Sequence, residues 1–318
     1  MVCGMSSSNV SNLLRHGVSP SKVGIPANTH LSAIEFLVQR FPAIQREVWL
    51  QRFLEGGILN SKRISIAPNQ SVLSETHLHY FRHVADEPTL PFKAQIIFQD
   101  EHLIVADKPH FMPVTPGGQY VQQSLLIQLK QDFNLPELSP IHRIDRETAG
   151  LVMFSVRAKD RDAYQELFRL RQVQKTYEAI AGIPESSPLN PVFPSTYKSV
   201  MANDAQFFKM RELTARECAT PDQSNSETWI DCVERLASQA LARYILKPVT
   251  GQRHQLRVHM NALGLPIKGD RFYPHVKYLA SEKDPLDQPL QLLAKTIAFL
   301  DPLTDTPRKF TSGLKLAH

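Results

Sequence analysis

Cysteine is scarce in this chain: Cys3, Cys218 and Cys232 are the only three in 318 residues, and none forms a C-x-x-C pair. That scarcity excludes a disulfide framework and a structural zinc knuckle, and it fits a reducing cytosol. Long apolar runs are missing too, so no stretch has the length to cross a bilayer. Residues 1–28 hold Ser, Gly, Pro and isolated charges without a continuous apolar core. They are expected to be neither a signal peptide nor an anchor, and the protein is read as cytoplasmic. G-x-S-x-G is absent, which removes a serine hydrolase of the nucleophile-elbow type. No Walker or dinucleotide glycine pattern occurs either. His254 and His259 are five apart, whereas a helical zinc pair needs i, i+4, so no metal site is predicted.

What is present is an ordinary globular composition, 42% hydrophobic and 21% charged. A chain of this length suits one large domain with a smaller one beside it. Lys and Arg number 36 against 31 Asp and Glu, a formal +5 with a pI near 9.0. A surplus of that size permits RNA binding without demanding it, because clustering matters more than the total.

The stretch His142-Arg143-Ile144-Asp145-Arg146-Glu147-Thr148-Ala149-Gly150-Leu151 stands out. One acid sits among arginines at the mouth of the apolar run Leu151–Phe154. Basic neighbours favour the ionised carboxylate and keep it available as nucleophile or base. Taken alone, Asp145 would sooner be read as a structural ion-pair partner for Arg143, Arg146 or Arg257.

Along the chain, residues 1–29 read as a loose tail or surface-docked extension. Ile34, Leu37, Val38 and Phe41 fall at helical spacing, and Val48, Leu50, Phe53 and Leu54 suggest a second helix ending at Gly56-Gly57. Ile58-Leu59 and the alternating Ile64, Ile66 predict short strands, with Asn69 in a turn. Prolines in Glu87–Pro91 mark a boundary, giving a tail at 1–29, a small module at 30–88 and a large domain at 89–318. Within the latter, Ala94–Phe98 and His102–Ala106 predict strands, Ser124–Leu129 a short helix, and Asp160 a cap for a helix through Arg171. Lys175–Ala181 alternates as a strand with Tyr177, Ala179 and Ala181 on one side. Residues 184–200 and 215–228, rich in Pro, Ser, Thr and Asn, read as loops of an insertion within 184–240. Thr250–Met260 opens a helix whose Leu256, Met260 and Leu263 share a face, stopped by Gly264 and Pro266. Arg257 borders that face, so its guanidinium requires a buried carboxylate, with Asp145 the candidate.

Several of these stretches resemble motifs of the RluA family of pseudouridine synthases. The acid loop resembles HRLD-x-x-T-S/A-G-L, with Ile144 in place of leucine. Asp107-Lys108-Pro109 resembles the family's entry loop, and Lys175-Thr176-Tyr177 its Lys-x-Tyr strand. Thr250–Met260 is similar to T-G-R-x-H-Q-I/L-R-x-H-L/M, followed by G-x-P-I-x-G-D at Gly264–Asp270; Gln252 departs from the basic residue often found there. The resemblance runs from about Ile96 to the end. It implies an α+β domain with a central, mostly antiparallel mixed sheet flanked by helices. It also implies isomerisation of uridine to pseudouridine in structured ribosomal or transfer RNA, without cofactor or metal, by a protein read as a monomer. Asp145 would then be the catalytic carboxylate, acting on the ribose as nucleophile or as base. Arg257 would hold Asp145, Tyr177 would stack on the base and help remove the C5 proton, and Arg143 would fill the gap left by the flipped uridine. Arg146, Arg253 and His254 would face the RNA.

The module at 30–88 resembles an S4-type RNA-binding domain, α/β in make-up, with Asn60-Ser61-Lys62 replacing the usual Asn-Gly-Lys turn. Arg40, Arg46, Arg52, Lys62 and Arg63 would supply phosphate contacts; a helical cap with solvated charges is the other reading. For the whole chain, the alternative to an enzyme is a non-catalytic RNA-binding or folding factor that keeps the fold.

Overall fold

The computed structural model describes residues 15, 17–82, 87–205, 208–218, 224–236, 240–277 and 284–317. Cys3 and the tail before residue 15 lie outside the described residues. The chain divides into two compact units: residues 1–88, 117–122 and 130–136, and residues 89–116, 123–129 and 137–318.

The smaller unit holds β1 (Ser21–Gly24), α1 (Ala33–Arg40), α2 (Arg46–Leu54), β2 (Ile58–Leu59) and β3 (His77–Tyr80), with the strands ordered β1-β3-β2 and all pairs antiparallel. Ser32 and Glu35 start α1 through a reciprocal capping box, each side chain bonding the other's backbone N–H. Four expectations need correction here. Part of the supposed tail is strand β1, whose Val23 is buried in the core. The buried face of α2 is Trp49, Arg52 and Phe53, while Val48 and Leu54 are exposed; Trp49 and Phe53, at i and i+4, set that face. Residues Ile64 and Ile66 are not a strand. The Asn60 carboxamide accepts the N–H groups of Lys62 and Ile64, curling the chain into an Asx-type turn that leaves Ile64 exposed. Arg52, read as a phosphate contact, lies instead buried over the Trp49 ring at 4.6 Å.

The larger unit is built on a mixed sheet ordered β4-β5-β7-β14-β8-β13-β12-β9, with β15 on β14 and β6 on β7. Its strands are β4 (Gln95–Gln99), β5 (Leu103–Lys108), β6 (Ser139–Pro140), β7 (Ala149–Ser155), β8 (Gln174–Gly182) and β9 (Ser195–Ser199). A separate hairpin, β10 (Met201–Asn203) and β11 (Met210–Glu212), precedes β12 (Ser226–Leu236), β13 (Leu241–Pro248), β14 (Leu292–Leu300) and β15 (Pro307–Thr311). Every pairing in the large sheet is antiparallel except β7 with β14. The helices are α3 (Leu125–Asp132), α4 (Arg161–Arg169) and α5 (Gln255–Ala262).

All seven residues of β7 are buried, which is why it reads as a continuous apolar run. Tyr164 and Leu167 of α4 pack with Leu103, Val105, Leu151 and Met153. Leu256 and Met260 of α5 pack with Ala179, Ala181, Tyr244 and Leu246. Gly150, at φ +109°, sits where β7 meets β14, and a Cβ there would collide with the Ala294 backbone.

Two further expectations change. Asp160 stands at the N-cap of α4 but makes no cap hydrogen bond; its carboxylate takes Arg157 and His102 instead. The segment read as insertion loops supplies strands β9 and β12 of the main sheet. Most of their buried positions are polar: Ser199, Ser226 and Thr228 all bond the buried imidazole of His259, while Ile230 is the buried apolar residue of β12.

Candidate active site

The loop before β7 turns tightly, with the Thr148 N–H donating to the Asp145 carbonyl at 3.1 Å. It opens on a cleft of about 630 Å³ lined by Arg143, Asp145, Arg146, Lys175, Tyr177, Arg253, His254 and Arg257, with Phe168 and the Thr250–Gln252 segment completing the wall. Each element delivers its residue for a local reason. β8 alternates, so Lys175 and Tyr177 emerge on the same face. The start of α5 is locked by Gln255, whose Oε1 accepts from Thr250 Oγ1 and the Gln252 N–H while its amide donates to Glu227 O and Thr228 Oγ1. His254 sits at that N-cap in left-handed backbone, φ +56°, held by Tyr273 Oη at 3.1 Å and by stacking on Phe272.

Asp145 and Arg257 do meet, but the predicted pairing is corrected in its geometry. Arg257 is 1% exposed and spends its bidentate fork on Asp270, at 2.8 and 2.7 Å. Its Nη2 lies 3.0 Å from Glu147 Oε2, and only Nη1 reaches Asp145, at 3.5 Å. Asp270 Oδ1 also accepts the N–H groups of Phe272 and Tyr273, whose rings flank the guanidinium at 4.8 and 5.5 Å. The fork prefers Asp270 because that carboxylate is buried on the same side of α5 and already oriented by two backbone donors. Burial opposes the Arg257 charge, yet the Asp270 hydrogen bonds and the surrounding carboxylates raise its pKa further above the usual value.

The surroundings carry groups that the sequence did not single out. Lys108 is fully buried and donates to the carbonyls of Pro109 and Arg146, at 2.9 and 3.0 Å, so it clamps the residue after Asp145. Burial pushes its ammonium down to about 7, against the pull of Asp145. Glu147 is buried with neither carboxylate oxygen in a hydrogen bond of good geometry, and burial pushes its carboxyl up despite Arg257. Burial takes His254 down to about 4, although its Nε2 is 3.9 Å from Asp145 Oδ1, so it is neutral at pH 7. Burial, and then the charge of Asp145, pushes the Tyr177 phenol up. The signals for Lys108 and Asp270 lay in the D-K-P and G-x-P-I-x-G-D stretches; Glu147 carried none beyond its place in the acid loop.

The other predicted residues divide. Arg143 is exposed on the cleft wall. Arg146 lines the cleft but gives its guanidinium to Asp284. Arg253 donates to Asn203 Oδ1 and the Lys209 carbonyl. Lys62 and Arg63 are exposed residues of the smaller unit. His142, half-buried on the cleft wall and stacked on Phe168 at 4.8 Å, accepts the Met153 N–H. Among the described residues no group of three or more His, Cys, Asp or Glu converges as a metal site would.

A family model described as RNA pseudouridylate synthase matches residues 102–262, which include the acid loop, β8 and α5. This chain belongs to the RNA pseudouridine synthase family. Within it the synthase is of the RluA type. It is 32% identical over 210 residues to the dual-specificity RNA pseudouridine synthase RluA of Salmonella typhimurium, covering 65% of this chain and 87% of that protein. An uncharacterized RNA pseudouridine synthase of Synechocystis is 27% identical over 246 residues, 76% of this chain and 78% of the relative. Among solved structures, human RNA pseudouridylate synthase domain containing 4 superposes with a TM-score of 0.51 at 26% identity, over 70% of this chain and 88% of that one. Human RNA pseudouridylate synthase domain containing 1, with a TM-score of 0.55 at 22% identity over 72% and 86%, shares the fold. The synthase is thus an isomerase acting on uridine in RNA, on the α+β fold expected from its motifs.

Proposed function

We propose that Asp145 is the carboxylate that converts uridine to pseudouridine in structured ribosomal or transfer RNA. One observation carries the assignment: of the three carboxylates around Arg257, Asp145 alone opens onto the cleft, with 26% of its side chain exposed against 5% for Glu147 and 1% for Asp270. No other acid lines the cleft among the described residues. The reaction breaks the N1–C1′ bond, turns the uracil, forms C5–C1′ and releases the C5 proton. Asp145 either attacks the ribose carbon or takes a ribose proton. Arg257, fixed by Asp270, orients it through the longer Nη1 contact. Tyr177 stacks on the base; its raised pKa keeps the phenol protonated at neutral pH, which favours stacking over proton removal. Arg143, exposed and unpaired, fills the gap left by the flipped uridine, a step that costs a few kcal/mol and so favours a loop or bulge. Arg253 and His254 border the RNA path, and Arg146 does so through its pair with Asp284. The smaller unit, with Lys62 and Arg63, is read as the S4-like module at 30–88, the protein as a cytoplasmic monomer and the catalytic domain as 89–318; no helix among the described residues is long and apolar enough to cross a membrane.

The test is tritium release from RNA labelled at uridine C5, with transfer RNA and large-subunit ribosomal RNA offered separately. Wild type should release the label from one of them, and Asp145→Asn should bind RNA but release none. Release by Asp145→Asn would remove Asp145 from the chemistry. No release by wild type from either RNA, with binding intact, would favour an RNA-binding factor.

A further inference from the structure

We propose that Lys175 holds a phosphate of the RNA strand, the one adjoining the uridine seated at Asp145. This rests on the Asp145 cleft being the uridine site. Lys175 precedes Tyr177 by two residues on β8, so both side chains leave the same face of the strand, and both line the cleft. An ammonium has three donors, yet the hydrogen bond this one makes is a long one, to the Thr250 carbonyl at 3.4 Å. No carboxylate of the described residues lies within ion-pair distance of it.

The other cations of the cleft are differently disposed. Arg257 is taken by three carboxylates, and Arg146 by Asp284. Arg253 is tied to Asn203 and Lys209, and Arg143 is at the exposed rim. Lys175 is the half-buried one without a counterion, an arrangement that is costly unless an anion arrives. Burial alone pushes its ammonium down, and a bound anion would reverse that shift. Space is provided as well: at Gly251 the first carbon of any side chain would stand 3.8 Å from Nζ, and glycine leaves that position empty. The anion available in a cleft that admits RNA is the phosphodiester, and the ribose that Asp145 addresses carries one on either side. Lys175 is therefore a substrate-binding residue that fixes the backbone while Asp145 and Tyr177 meet the sugar and base.

The experiment measures binding, so it does not depend on which group performs the chemistry. Affinity of wild type, Lys175→Met and Lys175→Arg is titrated against salt, using an RNA stem-loop whose single loop uridine loses its C5 label in the tritium assay. A second stem-loop carries a methylphosphonate on the phosphate next to that uridine, 5′ in one preparation and 3′ in another. Lys175→Met should bind about tenfold more weakly at low salt, with a log–log salt slope smaller by about 0.7, and Lys175→Arg should keep most of the slope. One of the two methylphosphonates should weaken wild type about tenfold and leave Lys175→Met unaffected. Equal salt slopes in all three proteins, or methylphosphonates that weaken wild type and Lys175→Met alike, would overturn the proposal and leave Lys175 as a tie to Thr250. If Lys175→Met folds poorly, wild type alone still tests the proposal, since indifference of wild type to both methylphosphonates would overturn it. Loss of turnover in Asp145→Asn with these binding results unchanged separates the phosphate site from the assignment of the carboxylate.

Discussion

Arg257 reaches three carboxylates from one guanidinium, and the distances rank them: Asp270 first, Glu147 next, Asp145 last. The residue that fixes the arginine is therefore Asp270, and removing it leaves a buried cation half-paired. Asp270→Ala should cost about 3–5 kcal/mol of stability and lower kcat in the tritium assay, whereas Asp270→Asn, which keeps the backbone contacts but not the charge, should lose less stability. Denaturant midpoints of the two variants check this, and a wild-type midpoint for Asp270→Ala would refute the anchoring role. Lys108 gives a prediction in pH. Its folded pKa is depressed to about 7 from 10.5, so between those values the unfolded chain binds a proton that the folded one does not. Stability from this group is accordingly complete above about 10.5 and is lost as pH falls through about 7. The melting temperature of wild type relative to Lys108→Met should rise from pH 7 to pH 9.5; a constant difference would mean that Lys108 stays charged when folded.

At the level of elements, Gly150 decides whether β7 can lie against β14. Gly150→Ala adds a Cβ against the Ala294 backbone in a left-handed conformation and should cost at least about 2 kcal/mol, with activity falling because the Asp145 loop enters β7 at that point. Thermal melts and tritium release measure both, and a variant matching wild type in each would show that the two strands can separate without loss. Much of this layout was legible beforehand. β4, β5, β7, β8 and α5 carry clear periodicity or unbroken apolar runs, and the motifs named Asp145, Tyr177 and Arg257. What was not legible has physical causes. Strands β9 and β12 hide because, Ile230 apart, their buried residues are serine and threonine serving His259, which erases apolar alternation. The first strand of the smaller unit is short and mixed in polarity, with Val23 its one buried side chain. Which acid would take the fork of Arg257 depended on the path of the chain after Gly264, and spacing along the sequence holds no record of that path. Arg52 looked like a surface cation because its stacking partner, Trp49, was not recognised as the inward face of α2.

For the molecule as a whole, strand order and chain order diverge most at the centre of the sheet, where residues 149–150 pair with 293–294. The contact of Asp145 with Arg257 likewise spans 112 positions. Such long-range pairings are slow to form, since loop closure must precede any gain from the contact. Refolding followed by circular dichroism should recover strand signal before RNA isomerisation returns; simultaneous recovery would contradict this order. The same wiring bears on synthesis. A nascent chain that has emerged as far as α5 already contains Asp145, Tyr177 and Arg257, but not the strand on which the acid loop is to rest. The residues for the reaction are then all made while the cleft that unites them is not, so the site can be completed only once β14 has emerged as well.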